Sequence, residues 1–223
     1  MNHQRGKFIT FEGGDGSGKS TQIRLAADWL TAAGFEVLLT REPGGTRIGE
    51  MIRALLLDPE NTDMMDMTEM LLYAAARAQL AREVIEPALA AGRLVVCDRW
   101  VDSSLVYQGA AHGLDDAVRK VNAFAAEGLF SPEVTILLDL DPNEALARAT
   151  AVGDGGDRIE ALGVEYQRQV REAYQKLAER EPSRIHVIEA SGSPEEVHIR
   201  VRSALEKALF EAEEPPAVHA EVI

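Results

Sequence analysis

Positive charge is scarce in this chain: 23 Lys and Arg stand against 37 Asp and Glu, a formal net charge of -14. Nonspecific nucleic-acid binding needs clustered cations that neutralise phosphates, so the balance argues against nucleic acid as a partner. An acidic protein that handles phosphate must gather its few arginines at one place, which makes each arginine beside a motif worth reading singly. Cysteine is nearly absent. With Cys97 alone, an intrachain disulfide and a Cys-based zinc site are both excluded, and its place in the run Leu94 to Cys97 reads as a small core residue. Long hydrophobic runs are missing too: no stretch approaches the roughly 20 apolar residues that cross a bilayer, and Met1 to Lys7 carry no apolar segment of a secretory signal. These absences lead to the expectation of a cytoplasmic protein with no membrane partner. The five histidines share no ligand spacing and read as surface or packing residues.

What is present suits one domain: 223 residues, 46% hydrophobic and 27% charged, enough chain to close a core without metal or disulfide. Residues 1–210 are expected to form that domain, with 211–223, which contain Pro215, Pro216 and several acids, a flexible acidic tail. Five short apolar runs, Lys7 to Phe11, Glu36 to Thr40, Leu94 to Cys97, Val134 to Leu140 and Ile185 to Ile188, alternate with stretches of helical period such as Gln22 to Ala33. Strands that alternate with helices predict a parallel sheet buried on both faces. The expected fold is therefore α/β, a three-layer α/β/α sandwich around a five-stranded parallel sheet. Thr68 to Ala91 reads as one long helix, packed on the sheet and against a possible partner subunit. Residues 149–157, with three glycines and no period, read as a loop able to close over a nucleotide.

The chemistry starts at Gly13-Gly14-Asp15-Gly16-Ser17-Gly18-Lys19-Ser20, a GxxxxGK(S/T) segment between a predicted strand and a predicted helix. Glycines let several N–H groups turn toward phosphate oxygens, and the helix N-terminus adds the positive end of its dipole. Lys19 is expected to reach the β- and γ-phosphates, and Ser20 to offer its hydroxyl to Mg²⁺. Asp98 follows the run Leu94 to Cys97 at the carboxyl end of a strand, where ligands gather in such sheets. Two roles stay open for it, orienting Mg²⁺ or capping the next helix.

A P-loop alone does not separate small-molecule kinase, GTPase and motor ATPase. No guanine-reading Asn-Lys-x-Asp segment occurs, and the chain is short for a large ATPase. Acceptor-side segments do occur: Arg41 to Thr46 (REPGGT), and Asp98-Arg99-Trp100 followed by Ser103-Ser104 and Tyr107-Gln108-Gly109. With Phe11 to Gln22, Arg77-Ala78-Gln79 and Asp157 to Glu160, they make the chain resemble the bacterial thymidylate kinases, P-loop nucleoside monophosphate kinases, over most of its length and in the family's order.

The resemblance implies ATP as phosphoryl donor, dTMP as acceptor, Mg²⁺ as cofactor, a place in dTTP biosynthesis and a homodimer. It implies donor binding by Gly13, Gly14, Asp15, Gly16, Ser17, Gly18, Lys19, Ser20 and Thr21, with Ser20 and Asp98 toward the metal. Asp15 matches the P-loop acid that assists transfer, and Arg99 the arginine that bridges acceptor and donor phosphates. Arg77 matches the residue that hydrogen-bonds the thymine edge, and Tyr73 takes the place of an aromatic, usually Phe, that stacks on the base. Tyr107 and Gln108 match residues that line deoxyribose and base, and Arg53, Glu42 and Ser104 belong to the same pocket. Arg148 and Arg158 flank the expected lid, near 149–160, as its catalytic arginines. Two departures stand out: relatives with Gly at the position of Gly16 usually carry an arginine-rich lid, whereas Thr150 and Val152 stand where its arginines would alternate, and Trp100 replaces the common Tyr, Phe or His.

Overall fold

A computed structural model of the chain describes residues 5–152, 158 and 162–211. Five strands, β1 (Phe8–Glu12), β2 (Val37–Arg41), β3 (Leu94–Asp98), β4 (Val134–Asp139) and β5 (Ile185–Glu189), form one sheet in the order β2-β3-β1-β4-β5. Every pairing is parallel. Each strand is among those expected, with bounds within a residue: four end one residue later, β4 ends at Asp139, one before Leu140, and Asp98, paired with both Phe11 and Arg41, closes β3 at its carboxyl end as expected.

Side chains alternate between the two faces of a strand, which explains how one sheet carries two cores. Phe8, Val95, Cys97 and Leu137 pack beneath α3 (Asp66–Leu80), α4 (Glu86–Ala90), α6 (Asp115–Ala125) and α8 (Gly163–Arg180). Ile9, Phe11, Val96, Ile136 and Leu138 pack beneath α1 (Lys19–Ala32), α7 (Pro142–Val152) and α9 (Pro194–Glu206). The sheet thus lies between two helical layers, as expected. Cys97 is fully buried, and burial pushes its thiol well up from the usual range, in keeping with a core role.

The expected long helix over Thr68 to Ala91 begins at Asp66 and is not uniform. Pro87 has no N–H to donate to the carbonyl four residues back. The hydrogen-bond register widens just before it, Glu86 N–H bonding Ala81 O, and Ala81–Ile85 form a π-helical turn between α3 and α4. The expected loop over 149–157 does not begin at 149, because 149–152 continue helix α7 (Pro142–Val152); of the expected lid near 149–160, residues 153–157 and 159–161 lie outside the described residues, as does the tail beyond Glu211.

Candidate active site

Sheet order reverses at β1, whose neighbours β3 and β4 lead to opposite edges, and the loops leaving β1 and β3 bound the crevice that such a reversal opens. The β1–α1 loop turns through Gly13, Gly16 and Gly18, all at positive φ, with Gly18 at φ 91° capping α1. Gly16 sits so close to α7 that a Cβ would stand 2.2 Å from Ala145 O, which excludes any side chain there. Lys19 lies beneath the loop and donates to Gly13 O (3.0 Å) and Gly14 O (2.9 Å). Burial, aided by the nearby Arg99 charge, brings its ammonium down to about 8.

Arg99 follows β3 at φ 69°, the one described non-glycine residue in that region. Strain of this kind, about 1–3 kcal/mol, persists only where surroundings enforce it, and here they do. Its N–H extends the ladder to Phe11 O (3.0 Å), and its guanidinium binds Asp15 Oδ1 (2.7 Å) and lies over the Tyr107 ring at 5.3 Å. Burial pushes the Asp15 carboxyl up, but the Arg99 and Lys19 charges outweigh it and hold it below the ordinary range.

Behind Arg99 stands a residue that the sequence reading passed over. Glu12, the last residue of β1, is fully buried; it accepts from Trp100 N (2.7 Å), Ser103 Oγ (2.6 Å) and Tyr174 OH (2.7 Å). Ser103 Oγ and Tyr174 OH in turn accept from Arg99 Nη1 at 3.3 and 3.4 Å. Burial first, then the Asp102 charge, raises the Glu12 carboxyl to about 7. An acid closing an apolar strand was a visible signal for Glu12. Tyr174, on α8, gave none, since at helical spacing it reads as core.

The side expected to take the acceptor is built around Arg77 of α3, only 1% exposed. Its Nε donates to Glu42 Oε2 at 2.9 Å, Nη2 is ion-paired with the same carboxylate and donates to Ser104 Oγ at 2.9 Å, and Nη1 meets Asn122 Oδ1. Burial pushes the Glu42 carboxyl up to about 7 against the pull of Arg77. Trp100 forms the platform below: fully buried, it bonds Leu129 O through Nε1 (2.7 Å), meets Phe8 edge-on and carries the Arg77 guanidinium 5.5 Å from its ring. Arg53, on α2 (Arg47–Leu57), donates to Pro43 O at 2.9 Å.

One cleft of about 340 Å³ joins these parts. Of the expected donor-side residues, Asp15, Gly16, Gly18, Lys19, Ser20 and Thr21 border it, while Gly13, Gly14 and Ser17 face the back of the loop toward β4 and α8. Of the expected acceptor-side residues, Glu42, Arg53, Tyr73, Arg77, Ser104, Tyr107 and Gln108 border it, with Asp98 and Arg99. Asp98 does not cap α5 (Val101–Ser104), whose cap position is Trp100; its Oδ1 is buried with no hydrogen-bond partner among the described residues. That orphaned oxygen, with the Ser20 hydroxyl on the same cleft, is a hard-oxygen donor set that fits Mg²⁺.

Arg148 and Arg158 do not border the cleft. Arg148 reaches from α7 to Ala190 O (3.1 Å) and pairs with Glu144. Arg158 binds Leu56 O (3.0 Å) at the end of α2 and pairs with Glu69 of α3.

The profile of the family described as Thymidylate kinase matches residues 11–201. The thymidylate kinase of Symbiobacterium thermophilum is 52% identical over 203 residues, 91% of this chain and 94% of its own. That of Pelotomaculum thermopropionicum is 48% identical over 206 residues, 92% and 95% of the two chains. The crystal structure of thymidylate kinase from Ehrlichia chaffeensis superposes with a TM-score of 0.72 at 31% identity, covering 90% of this chain and 99% of that one. A P-loop crevice, a pocket built around a buried arginine and relatives matched over nine-tenths of both chains agree: the chain belongs to the thymidylate kinase family.

Proposed function

We propose that this protein transfers the γ-phosphoryl group of MgATP to dTMP, giving dTDP and ADP for dTTP synthesis in the cytoplasm. The observation that carries the reading is a single cleft with two cationic ends, Lys19 with Arg99 at the P-loop and the Glu42-bound Arg77 at the far wall. A phosphate oxygen of dTMP attacks the γ-phosphorus as the bond to the β–γ bridging oxygen breaks and ADP leaves. The nucleophile is already anionic, so no strong general base is needed; the protein supplies alignment and positive charge. Lys19 holds the donor phosphates. Arg99, fixed by Asp15 and by the Glu12 cluster, neutralises charge where acceptor and donor phosphates meet. Ser20 and Asp98 would hold Mg²⁺, which would supply positive charge toward the donor phosphates. Arg77 offers donors to the base edge, Tyr73 a ring to stack on it, and Tyr107, with Gln108, the wall beside the sugar; Arg53, Glu42 and Ser104 complete the pocket. Arg148 and Arg158 remain the lid's catalytic candidates only through a rearrangement that frees them from Glu144 and Glu69.

The test is ADP release by the purified protein with MgATP and dTMP, dUMP, CMP, AMP or thymidine, each alone. Turnover strongest with dTMP is the expected result. A different preferred acceptor would replace the substrate assignment, and no turnover with any would favour a nucleotide-binding regulator.

A further inference from the structure

Glu69 of α3 is a buried carboxylate, 3% exposed, that the reaction outlined above leaves unused. Its two oxygens have different partners: Oε1 accepts from Gln108 Nε2 at 2.9 Å, and Oε2 is paired with Arg158. His112 stands nearby, Nε2 4.0 Å from Oε1 and Nδ1 3.4 Å from Asp66. Gln108, 2% exposed, borders the cleft, and its Oε1 accepts no hydrogen bond from the described residues. A primary amide has a donor end and an acceptor end, and packing alone hardly distinguishes them. A carboxylate already engaged by a guanidinium can only accept, so it selects one orientation: the Gln108 amide must give Glu69 its N–H and keep its oxygen for the cleft.

We infer that Glu69 is a specificity-determining positioning residue, which fixes the Gln108 amide so that the acceptor pocket presents an oxygen, and thereby favours a pyrimidine with N3–H over one with a bare N3. Thymine and uracil carry a proton at N3, whereas cytosine has a lone pair there and would meet the Gln108 oxygen with repulsion. Buried polar groups left unmatched are what make a site reject an analogue. Arg77, a donor only, makes the same distinction at the neighbouring position, where thymine offers O4 and cytosine an amino group. The two residues therefore read adjacent atoms with opposite polarity, and only Gln108 depends on a partner to keep its sense. Glu69 touches no substrate itself.

This inference rests on the dTMP reading, so wild-type turnover is measured first. If dTMP is not a substrate, that reading fails. If it is, kcat/KM for dTMP and for dCMP are compared in the wild type and in Glu69→Gln, whose amide can either accept from or donate to Gln108. The dTMP:dCMP ratio is expected to fall by about tenfold or more, without reversing, since Arg77 is unchanged. In Gln108→Leu, adding Glu69→Gln should leave the ratio where Gln108→Leu alone puts it. Equal losses for both acceptors, with the ratio intact, would overturn the inference and make Glu69 structural. Should Glu69→Gln not fold, Glu69→Gln with Arg158→Gln removes both members of the ion pair together and is judged by the same ratio.

Discussion

Two arginines bordering this cleft differ in what holds them. Arg77 is locked by Glu42, Asn122 and Ser104 before any ligand arrives, whereas Arg99 is held through Asp15 and hydroxyls that lean on Glu12. Arg99→Ala is expected to lower kcat by about 10³-fold or more, the scale of an arginine at a transferring phosphoryl group, with little change in melting temperature; near-normal turnover would remove Arg99 from the reaction. Lys19 gives a pH prediction. Its ammonium is depressed to about 8 in the folded protein, first by burial and then by Arg99, and a bound polyphosphate favours the charged form. MgATP affinity should therefore hold below about pH 8 and fall as the pH rises above it, with proton uptake on binding near pH 8 measurable by calorimetry in buffers of different ionisation enthalpy. Affinity flat from pH 7 to 9.5 would contradict it. At this scale the motifs anticipated most of the residues that border the cleft, but not the role of Glu12 behind Arg99, and Arg158 sits in a motif without bordering the cleft. The sequence was mute on Asn122 and Tyr174, whose roles arise because α6 and α8 pass behind the arginines, a contact between distant segments that no local pattern encodes.

Elements were legible by period and punctuation. Short apolar runs placed all five strands, since strands covered on both faces read as continuous hydrophobic stretches. The long α3 segment was harder: its period is helical throughout, and only Pro87 hinted at the π turn, whose register depends on backbone hydrogen bonds. The packing of α7 on the P-loop was not legible at all, yet it explains why position 16 is glycine. Its φ is 76°, and a Cβ would meet the Ala145 carbonyl, a backbone atom that cannot rotate away. Gly16→Ala should thus pay twice, in strain of about 1–3 kcal/mol and in displacement of α7 or the loop. The expected result is a melting temperature several degrees lower and weaker MgATP binding. A variant with both unchanged would mean that α7 does not bear on the loop in solution.

At the scale of the whole molecule, the sheet and its two helical layers follow from burial, but nothing inside one chain requires a second copy. The surface does suggest one. Polar residues ought to cover the outside of α2 and α3, yet α2 leaves Ile48, Met51 and Leu55 exposed at helical spacing, and α3, packed beside it, leaves Met67 and Leu71. Single exposed apolar residues are ordinary, whereas rows of them on two neighbouring helices are the kind of patch that marks an interface. Both helices also feed the cleft, α2 through Arg53 and α3 through Tyr73 and Arg77, so a twofold contact here would brace the acceptor pocket from behind. A C2 dimer uses the same patch on both subunits, which gives one substitution two effects at the interface. Leu55→Glu with Leu71→Glu places four carboxylates in the contact and should shift the mass in solution from twice 24.3 kDa to 24.3 kDa by sedimentation or light scattering. If the dimer braces Arg77 and Tyr73, KM for dTMP should rise in that variant while MgATP binding holds. A wild-type protein of 24.3 kDa at micromolar concentration would dismiss the dimer, and a dissociated variant with unchanged KM would separate assembly from acceptor binding.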